Sequence, residues 1–171
     1  APTASTTVAL ALGDALAIVL LEMRGFRTDD FALTHPAGAL GRRLFIKVLD
    51  IMQSGECLPT IQPSKSIAEA ILEISAKRMG MTCVVGTNFE ALGILTDGDL
   101  RRIIGKGVDI QKTVVEKAMS KEAYSIEQHS LASEAALKME NLKINHLLVL
   151  DEKKKLVGAI GIHDLLEAKI L

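Results

Sequence analysis

The stretch GILTDGDL at residues 93–100 returns as GAIGIHDL at residues 158–165, 65 residues further along the chain. A repeat of this length is typical of a supersecondary unit that cannot bury its apolar face alone. We therefore expect the two copies to share a core, with a ligand-binding cleft between them. Apolar positions upstream of each copy repeat at the same offset: Ala70, Leu72, Ile74, Met79 and Val84, then Ala135, Leu137, Met139, Ile144 and Val149.

The composition is that of a soluble globular protein with one sizeable domain or two small ones. The chain has 171 residues, 49% of them hydrophobic and 24% charged, with a formal net charge of −1. This near-neutral charge argues against electrostatic binding of nucleic acid. The chain contains no Trp and one Tyr, so it offers no aromatic platform for stacking single-stranded bases. We expect no nucleic-acid partner.

The cysteines and the apolar stretches bear on cellular location. Cys57 and Cys83 stand alone, without a C-x-x-C motif or a His at ligand spacing, so we expect neither disulfides nor a metal site. This usage favours a reducing compartment, and we expect a cytoplasmic protein without cofactors. The longest apolar stretch, residues 8–21, is interrupted by Gly13 and Asp14 and is read as too short and too broken to span a membrane.

The N-terminal region predicts a helix from Val8 to Arg24 that is apolar on every side, as in a protein core. Ser5, Thr6 or Thr7 is expected to cap its start, and Gly25 to end it. The chain has no initiator Met and enters this helix almost at once. We expect a fragment of a longer protein.

Helix and strand patterns alternate through the rest of the chain. Residues 28–31 predict a short helix and residues 35–41 a Gly-rich loop. The first repeat predicts a helix at 66–78 with a Ser66–Glu69 capping box, strands at 82–85 and 92–95, and a helix from Asp97. The second predicts a helix at 131–143, strands at 147–150 and 156–160, and a helix from His163.

The tandem order strand, helix, strand, strand, helix, ending each time in Gly-x-x-x-x-x-Asp-Leu, resembles a pair of CBS domains over residues 48–171. The resemblance implies an α+β fold, a tandem CBS-domain pair of two βαββα repeats packed face to face, with repeats at 48–112 and 113–171. It further implies an adenosine-nucleotide-sensing module. In such pairs an Asp at the start of the last helix commonly holds ribose hydroxyls, and a Thr or Ser three residues earlier meets phosphate.

The first repeat carries the full set that this resemblance implies. It has Thr96 and Asp99, with Asp97 between them and Arg101 and Arg102 after them, and we name all five as candidate ligand-binding residues. A helix N-terminus favours phosphate, and a carboxylate accepts two hydrogen bonds from a ribose diol. The alternative is that Thr96 and Asp99 form only a capping box.

The second repeat departs from this pattern. It keeps Asp164, preceded by His163, but has Gly161 where the hydroxyl is expected. We name His163 and Asp164 as further ligand-binding candidates, with a solvated first-turn residue as the alternative for His163. We expect Asp99 and Asp164 to lie at the mouths of a common groove.

Residues 1–47 resemble the C-terminal helical end of a sugar isomerase (SIS) domain with its linker, as found in arabinose 5-phosphate isomerases of the capsule-associated type. The matching segments are APTASTT (1–7), GDALA (13–17), RGF (24–26), DFA (30–32) and HPAGALGR (35–42). Those enzymes join an SIS domain to a C-terminal CBS pair. TDGDLRR at residues 96–102 also matches them.

This resemblance implies interconversion of D-ribulose 5-phosphate and D-arabinose 5-phosphate for synthesis of the sugar acid Kdo, in lipopolysaccharide or capsule. It names His35 as a catalytic residue, with capping of a helix end as the alternative. Because the rest of an SIS domain lies upstream, we expect no isomerase activity from this chain alone.

The resemblance also implies partners, while leaving the function of the repeats open. We expect a homo-oligomer, a dimer of CBS pairs and a tetramer in the parent enzyme. The effector is an adenine nucleotide or the cytidine-activated sugar CMP-Kdo. The alternatives are a purely structural pair without a ligand and a stand-alone sensor unrelated to catalysis.

Overall fold

The computed structural model describes residues 1–27, Asp30 and residues 44–171. They belong to two compact units, residues 1–44 and residues 45–171. The predictions for residues 28–29 and 31–43, including the Gly-rich loop and the catalytic candidate His35, lie outside the described residues.

Helix α1 (Ala4–Met23) forms most of the described part of the first unit. It begins earlier than the sequence predicts, after Thr3, and the prediction of a side-chain cap among residues 5–7 is wrong. The reason is that these hydroxyls lie inside the first turns and donate backwards: Thr7 Oγ1 donates to the Thr3 carbonyl at 2.9 Å. Gly25, with φ of 64°, ends the helix as predicted.

The length of α1 corrects a second expectation. Gly13 and Asp14 do not interrupt the helix, and its 20 residues are long and apolar enough to cross a membrane by length and composition alone. The core helix of a soluble protein meets the same criterion. Among the described residues, none of α1 is buried.

The second unit contains two three-stranded sheets of identical topology. One sheet has the order β1 (Thr60–Ile61), β2 (Met81–Val85), β3 (Ala91–Thr96). The other has the order β4 (Ser125–Glu127), β5 (His146–Leu150), β6 (Leu156–Gly161). In both, the middle strand runs parallel to the first and antiparallel to the third.

The helices of this unit follow the predicted repeat. They are α2 (Val48–Ile51), α3 (Ile67–Lys77), α4 (Asp97–Gly105), α5 (Ala132–Leu142) and α6 (Ile162–Glu167), with 3₁₀ turns at Gly55–Cys57 and Val115–Lys117. The capping box at the start of α3 is confirmed. Ser66 Oγ accepts from the Glu69 amide at 3.2 Å, and the Glu69 carboxylate accepts from the Ser66 amide at 2.8 Å.

The two sheets pack face to face, which confirms the shared core predicted from the repeat. Buried side chains of both sheets form one apolar cluster: Met81, Cys83 and Val85 with Leu148, Leu156 and Ala159. Helices α3 and α5 cover the outer faces, each with its own buried cluster. Burial raises the pKa of the Cys83 thiol to about 12, so this residue acts as a small apolar packing group.

The segment that leads into each repeat packs on the other repeat. We call residues 45–53 the connector and residues 114–120 the linker. Val48 of the connector is fully buried in the core of the second repeat, and Val115 of the linker is fully buried in the core of the first. Backbone bridges join Gln53 to Ala159 and Ser120 to Ile94. The two repeats are therefore interlocked.

Candidate ligand-binding cleft between the repeats

A cleft of about 820 Å³ lies between the two repeats. Its walls are the starts of α4 and α6, the ends of α3 and α5, and the strand beginnings that follow them. The two helix starts are fastened in the same way. The amide of Asp97 donates to the Gly80 carbonyl, and the amide of Ile162 donates to the Asn145 carbonyl, both at 3.0 Å. The cleft thus has an approximate two-fold arrangement that follows from the sequence repeat.

Three cationic side chains that line this cleft have no anionic partner in the described part of the chain. Arg78 and Lys143 occupy equivalent positions at the ends of α3 and α5, and Arg101 lies on α4. Within the described part of the chain, none of the three forms a side-chain hydrogen bond or an ion pair. The arrangement therefore attracts an anion.

The backbone at two of these cations favours glycine. Arg78 has φ of 57° and Lys143 has φ of 53°, in the left-handed region where helices commonly end in Gly. Both repeats instead carry a long basic side chain there. Sequence analysis missed these two residues, although their shared offset of 65 residues was a usable signal.

The structure brings most of the sequence-predicted residues together. Thr96, Asp97, Arg101 and Arg102 from the first repeat and His163 from the second all line the cleft. Three of the four residues from the first repeat lie on α4, whose predicted start at Asp97 is confirmed. Their roles in binding stay predictions.

The carboxylate of Asp99 is already engaged by neighbouring groups. Oδ2 accepts from the Thr96 amide at 2.9 Å and from the Thr96 hydroxyl at 2.7 Å. Oδ1 accepts from Arg102, and from Ser120 Oγ at 3.4 Å. Asp99 is 6% exposed and is not among the described residues that line the cleft.

Asp164 is held by an equivalent set of contacts. Its Oδ2 accepts from the Gly161 amide at 2.7 Å, and its Oδ1 accepts from the Gln53 side-chain amide at 2.8 Å. Neither Asp99 nor Asp164 is among the described residues that line the cleft, which departs from the expectation of a shared groove, and their roles in ligand binding stay predictions. The physical reason is that each carboxylate closes the first turn of its helix and also binds the lead-in segment that crosses from the other repeat.

His146 is a cleft residue outside the set of ligand-binding candidates named from the sequence. Its Nε2 lies 2.7 Å from the carbonyl oxygen of Met79, so the ring nitrogen donates a hydrogen bond from the second repeat to the first. Burial lowers the pKa of His146, against the raising effects of the Met79 carbonyl and of Asp97 and Asp164. The equivalent residue in the first repeat is Met81, and this polar-for-apolar exchange was the signal available.

Among the described residues, no group of three or more His, Cys, Asp or Glu side chains is placed to hold a metal ion.

Proteins of known structure share the fold of the second unit. A CBS-domain containing protein from Agrobacterium tumefaciens is 28% identical, with a TM-score of 0.63, over 72% of this chain and 90% of that chain. A CBS domain protein from Pyrobaculum aerophilum, solved as a complex with AMP, is 18% identical, with a TM-score of 0.64, over 70% of this chain and 90% of that one. At this lower identity the likeness shows the fold alone.

The similarity in sequence extends over the whole chain. The arabinose 5-phosphate isomerase KdsD of Pseudomonas aeruginosa is 47% identical over 171 residues, which are all of this chain and 52% of that protein. This confirms the predicted resemblance to arabinose 5-phosphate isomerases, and the chain spans about half the length of the curated relatives it matches. Residues 48–106 and 115–170 match the family model of the CBS domain, and the chain therefore belongs to the CBS domain family.

Proposed function

We propose that this chain is the regulatory CBS pair of a cytoplasmic arabinose 5-phosphate isomerase, and that its cleft binds a nucleotide or a nucleotide-activated sugar. The observation that carries the proposal is a set of three cations around one cleft, Arg78, Arg101 and Lys143, which have no ion-pair partner among the described residues. A cation in a partly enclosed site attracts phosphate more strongly than one on an open surface, because less water screens the interaction.

The size of the cleft suits this class of ligand. Ligand sites typically enclose about 300–1,000 Å³, and the volume of about 820 Å³ falls within that range. The AMP complex of the Pyrobaculum aerophilum protein supports the proposal by showing that this fold can hold an adenine nucleotide.

Differences between the repeats predict how the ligand is oriented in the cleft. At equivalent positions, the first repeat has Thr96 and Arg101 where the second has Gly161 and Leu166. The Thr96 hydroxyl is already engaged by Asp99, so the difference that bears on a ligand is the guanidinium of Arg101, which the second repeat lacks. We infer that the phosphate groups of the ligand lie toward α4.

Isothermal titration calorimetry of the 171-residue chain tests ligand binding directly. AMP, ATP and CMP-Kdo are titrated separately, with uncharged adenosine as the matched control. Binding of at least one of the three phosphate-bearing compounds, tighter than that of adenosine, supports the proposal. Absence of binding by all three overturns it.

The proposed activity of the parent enzyme, interconversion of D-ribulose 5-phosphate and D-arabinose 5-phosphate, rests on the 47% identity to the Pseudomonas aeruginosa enzyme. It is tested by joining this chain to the half of that enzyme that the chain does not cover. We expect the chimera to isomerise the sugar phosphate and the 171-residue chain alone to be inactive. Turnover by the chain alone, or an inactive but folded chimera, contradicts this division of roles.

A second candidate function is assembly of copies of this chain. Leu72 on α3 and Leu137 on α5 occupy equivalent repeat positions and are 70% and 58% exposed. Two equivalent apolar positions on one protomer suit a symmetric contact with a second copy, since a two-fold interface buries the same surface on both.

Light scattering distinguishes assembly from ligand binding. Under the assembly function, a Leu72→Lys/Leu137→Lys double variant shifts a dimer toward the monomer. Lys substitution at Phe89, which is 49% exposed in a turn, serves as the control for adding charge. A wild-type chain that is monomeric at all concentrations argues against this second function.

A further inference from the structure

The connector, residues 45–53, is attached to the second repeat although it precedes the first in sequence. Its backbone amides at Val48 and Leu49 donate to the carbonyls of Ser130 and Gln128, each at 2.9 Å. Gln53 exchanges two backbone hydrogen bonds with Ala159 on β6, at 2.8 and 3.0 Å. Any displacement of the second repeat is therefore applied directly to the segment that continues from residues 1–44.

One side-chain hydrogen bond ties this connector to the start of α6. Gln53 Nε2 donates to Asp164 Oδ1 at 2.8 Å, and Asp164 Oδ2 accepts from the Gly161 amide at 2.7 Å. The two residues between Gly161 and Asp164, Ile162 and His163, line the cleft. Two hydrogen bonds, Gly161 to Asp164 and Asp164 to Gln53, therefore connect the start of α6, where a ligand would bind, to the connector.

The packing leaves little room to absorb a shift at this crossing. A Cβ added to Gly158 on β6 would lie 2.7 Å from the Gln53 carbonyl oxygen and 2.7 Å from Met52 Sδ. Strand β6 passes into α6 without an intervening loop. Densely packed contacts of this kind transmit displacement rather than damp it.

We propose that Gln53 is a positioning residue that couples occupancy of the cleft to the connector. The proposal rests on the proposed ligand binding and adds the path by which binding affects the connector. Contact of the ligand with Ile162 and His163 restricts motion at the start of α6. The hydrogen bond between Asp164 and Gln53 then restricts the connector, which becomes more ordered. Because such coupling is reciprocal, the bound connector in turn favours the liganded arrangement of α6.

The first repeat supplies the matched control. Ser120 is the counterpart of Gln53, and its hydroxyl lies 3.4 Å from Asp99 Oδ1. Ser120 belongs to the linker, which runs between the repeats and not toward residues 1–44. Its loss therefore leaves the connector response intact.

Hydrogen exchange of the full 171-residue chain, read by mass spectrometry with and without saturating AMP, ATP or CMP-Kdo, tests the coupling. We expect amides of residues 46–53 to exchange about fivefold more slowly or slower still with the ligand that binds, the lower end of typical allosteric coupling. Gln53→Leu removes this response and, by the same reciprocity, weakens ligand binding by up to about fivefold, whereas Ser120→Ala retains both the response and the affinity. Gln53→Met, an unbranched replacement, repeats the test should the Leu variant fold poorly.

The possible outcomes distinguish the coupling from the proposed ligand binding. Binding without slower exchange in the wild-type connector overturns the coupling and leaves the proposed function standing. A response that survives both Gln53 variants also overturns it, since the signal then bypasses this residue. No binding of any of the three compounds overturns the proposed function together with the coupling.

Discussion

A Cβ placed on Gly93 would lie 2.4 Å from the carbonyl oxygen of Ser120. Strand β3 and the linker meet backbone to backbone here, since Ile94 and Ser120 exchange hydrogen bonds of 3.0 and 2.8 Å. Gly158 has the equivalent relationship with Gln53 in the second repeat. The repeated glycine therefore marks the place where each repeat admits the lead-in segment of the other.

Gly93→Ala and Gly158→Ala are expected to destabilise the fold by about 1–3 kcal/mol each, the usual range for an overpacked site. The reason is that the atoms nearest to the new methyl group include backbone carbonyl oxygens, which cannot move without breaking the bridge between the repeats. Chemical denaturation of the purified variants measures the change in the free energy of unfolding.

Gly105→Ala is the matched control for these variants. Apart from its chain neighbours and the backbone of its own helix, a Cβ at this position would have no described atom within 4 Å. Its effect is expected to be neutral or slightly stabilising. Equal stabilities for Gly93→Ala and Gly105→Ala would contradict the close crossing.

Local pattern was sufficient to predict most elements of the second unit. The bounds of α3 and the start of α4 follow from apolar spacing and from side chains such as Ser66 that satisfy the first helical amides. The interlocking of the repeats was not predicted, because the pairing of Gln53 with Ala159 joins segments that are distant in sequence. Only the repeated glycine, Gly93 and Gly158, is a local sign in the sequence that another segment packs closely there.

At the candidate site, the sequence does not show which polar side chains are available to bind a ligand. The spacing of Thr96 and Asp99 suits both a capping box and a ligand contact, and sequence does not reveal which hydrogen-bonding positions of the carboxylate are already used. In the structure both oxygens of Asp99 have partners. The sequence also does not show that Arg78, Arg101 and Lys143 lack an ion-pair partner among the described residues, because pairing depends on three-dimensional packing.

Thr82→Val is expected to stabilise the protein by about 1 kcal/mol, since a buried hydroxyl without a hydrogen bond is unfavourable and valine has nearly the same shape. Thr82 is fully buried, and its Oγ1 has no partner among the described residues. The equivalent position in the second repeat is the buried Leu147. Thermal denaturation measures the gain, and Thr87→Val in an exposed turn should show none.

His146 predicts a loss of stability in mild acid. Burial holds the pKa of this ring below its ordinary value of 6.5. Below about that pH the unfolded chain takes up a proton on this residue while the fold keeps it neutral. Its contribution to stability is therefore complete above pH 6.5 and declines as the pH falls toward the lower folded pKa.

Denaturation between about pH 7.5 and pH 5 tests this, over the interval in which a histidine of ordinary pKa becomes charged. We expect the pH dependence to be flatter in His146→Gln than in the wild type. His129→Gln, at an exposed position of the second repeat, should keep the wild-type dependence. An unchanged slope in His146→Gln would assign the acid sensitivity to other groups.

The cations that line the cleft predict how ligand binding responds to charge. Arg101→Gln or Lys143→Gln removes one positive charge from the cleft while keeping a hydrogen-bonding side chain, and each should weaken binding of a phosphate-bearing nucleotide about tenfold, or ~1.4 kcal/mol. Lys106→Gln makes the same charge change just past the end of α4, at a residue that does not line the cleft. It should alter the affinity less than about twofold, because water and salt screen an exposed charge that does not touch the ligand. Calorimetry at low and at physiological salt measures both effects, and the wild-type affinity should fall with added salt more steeply than that of either cleft variant. Equal losses in Lys106→Gln and Arg101→Gln would mean that the ligand responds to the overall charge of the protein rather than to side chains that touch it.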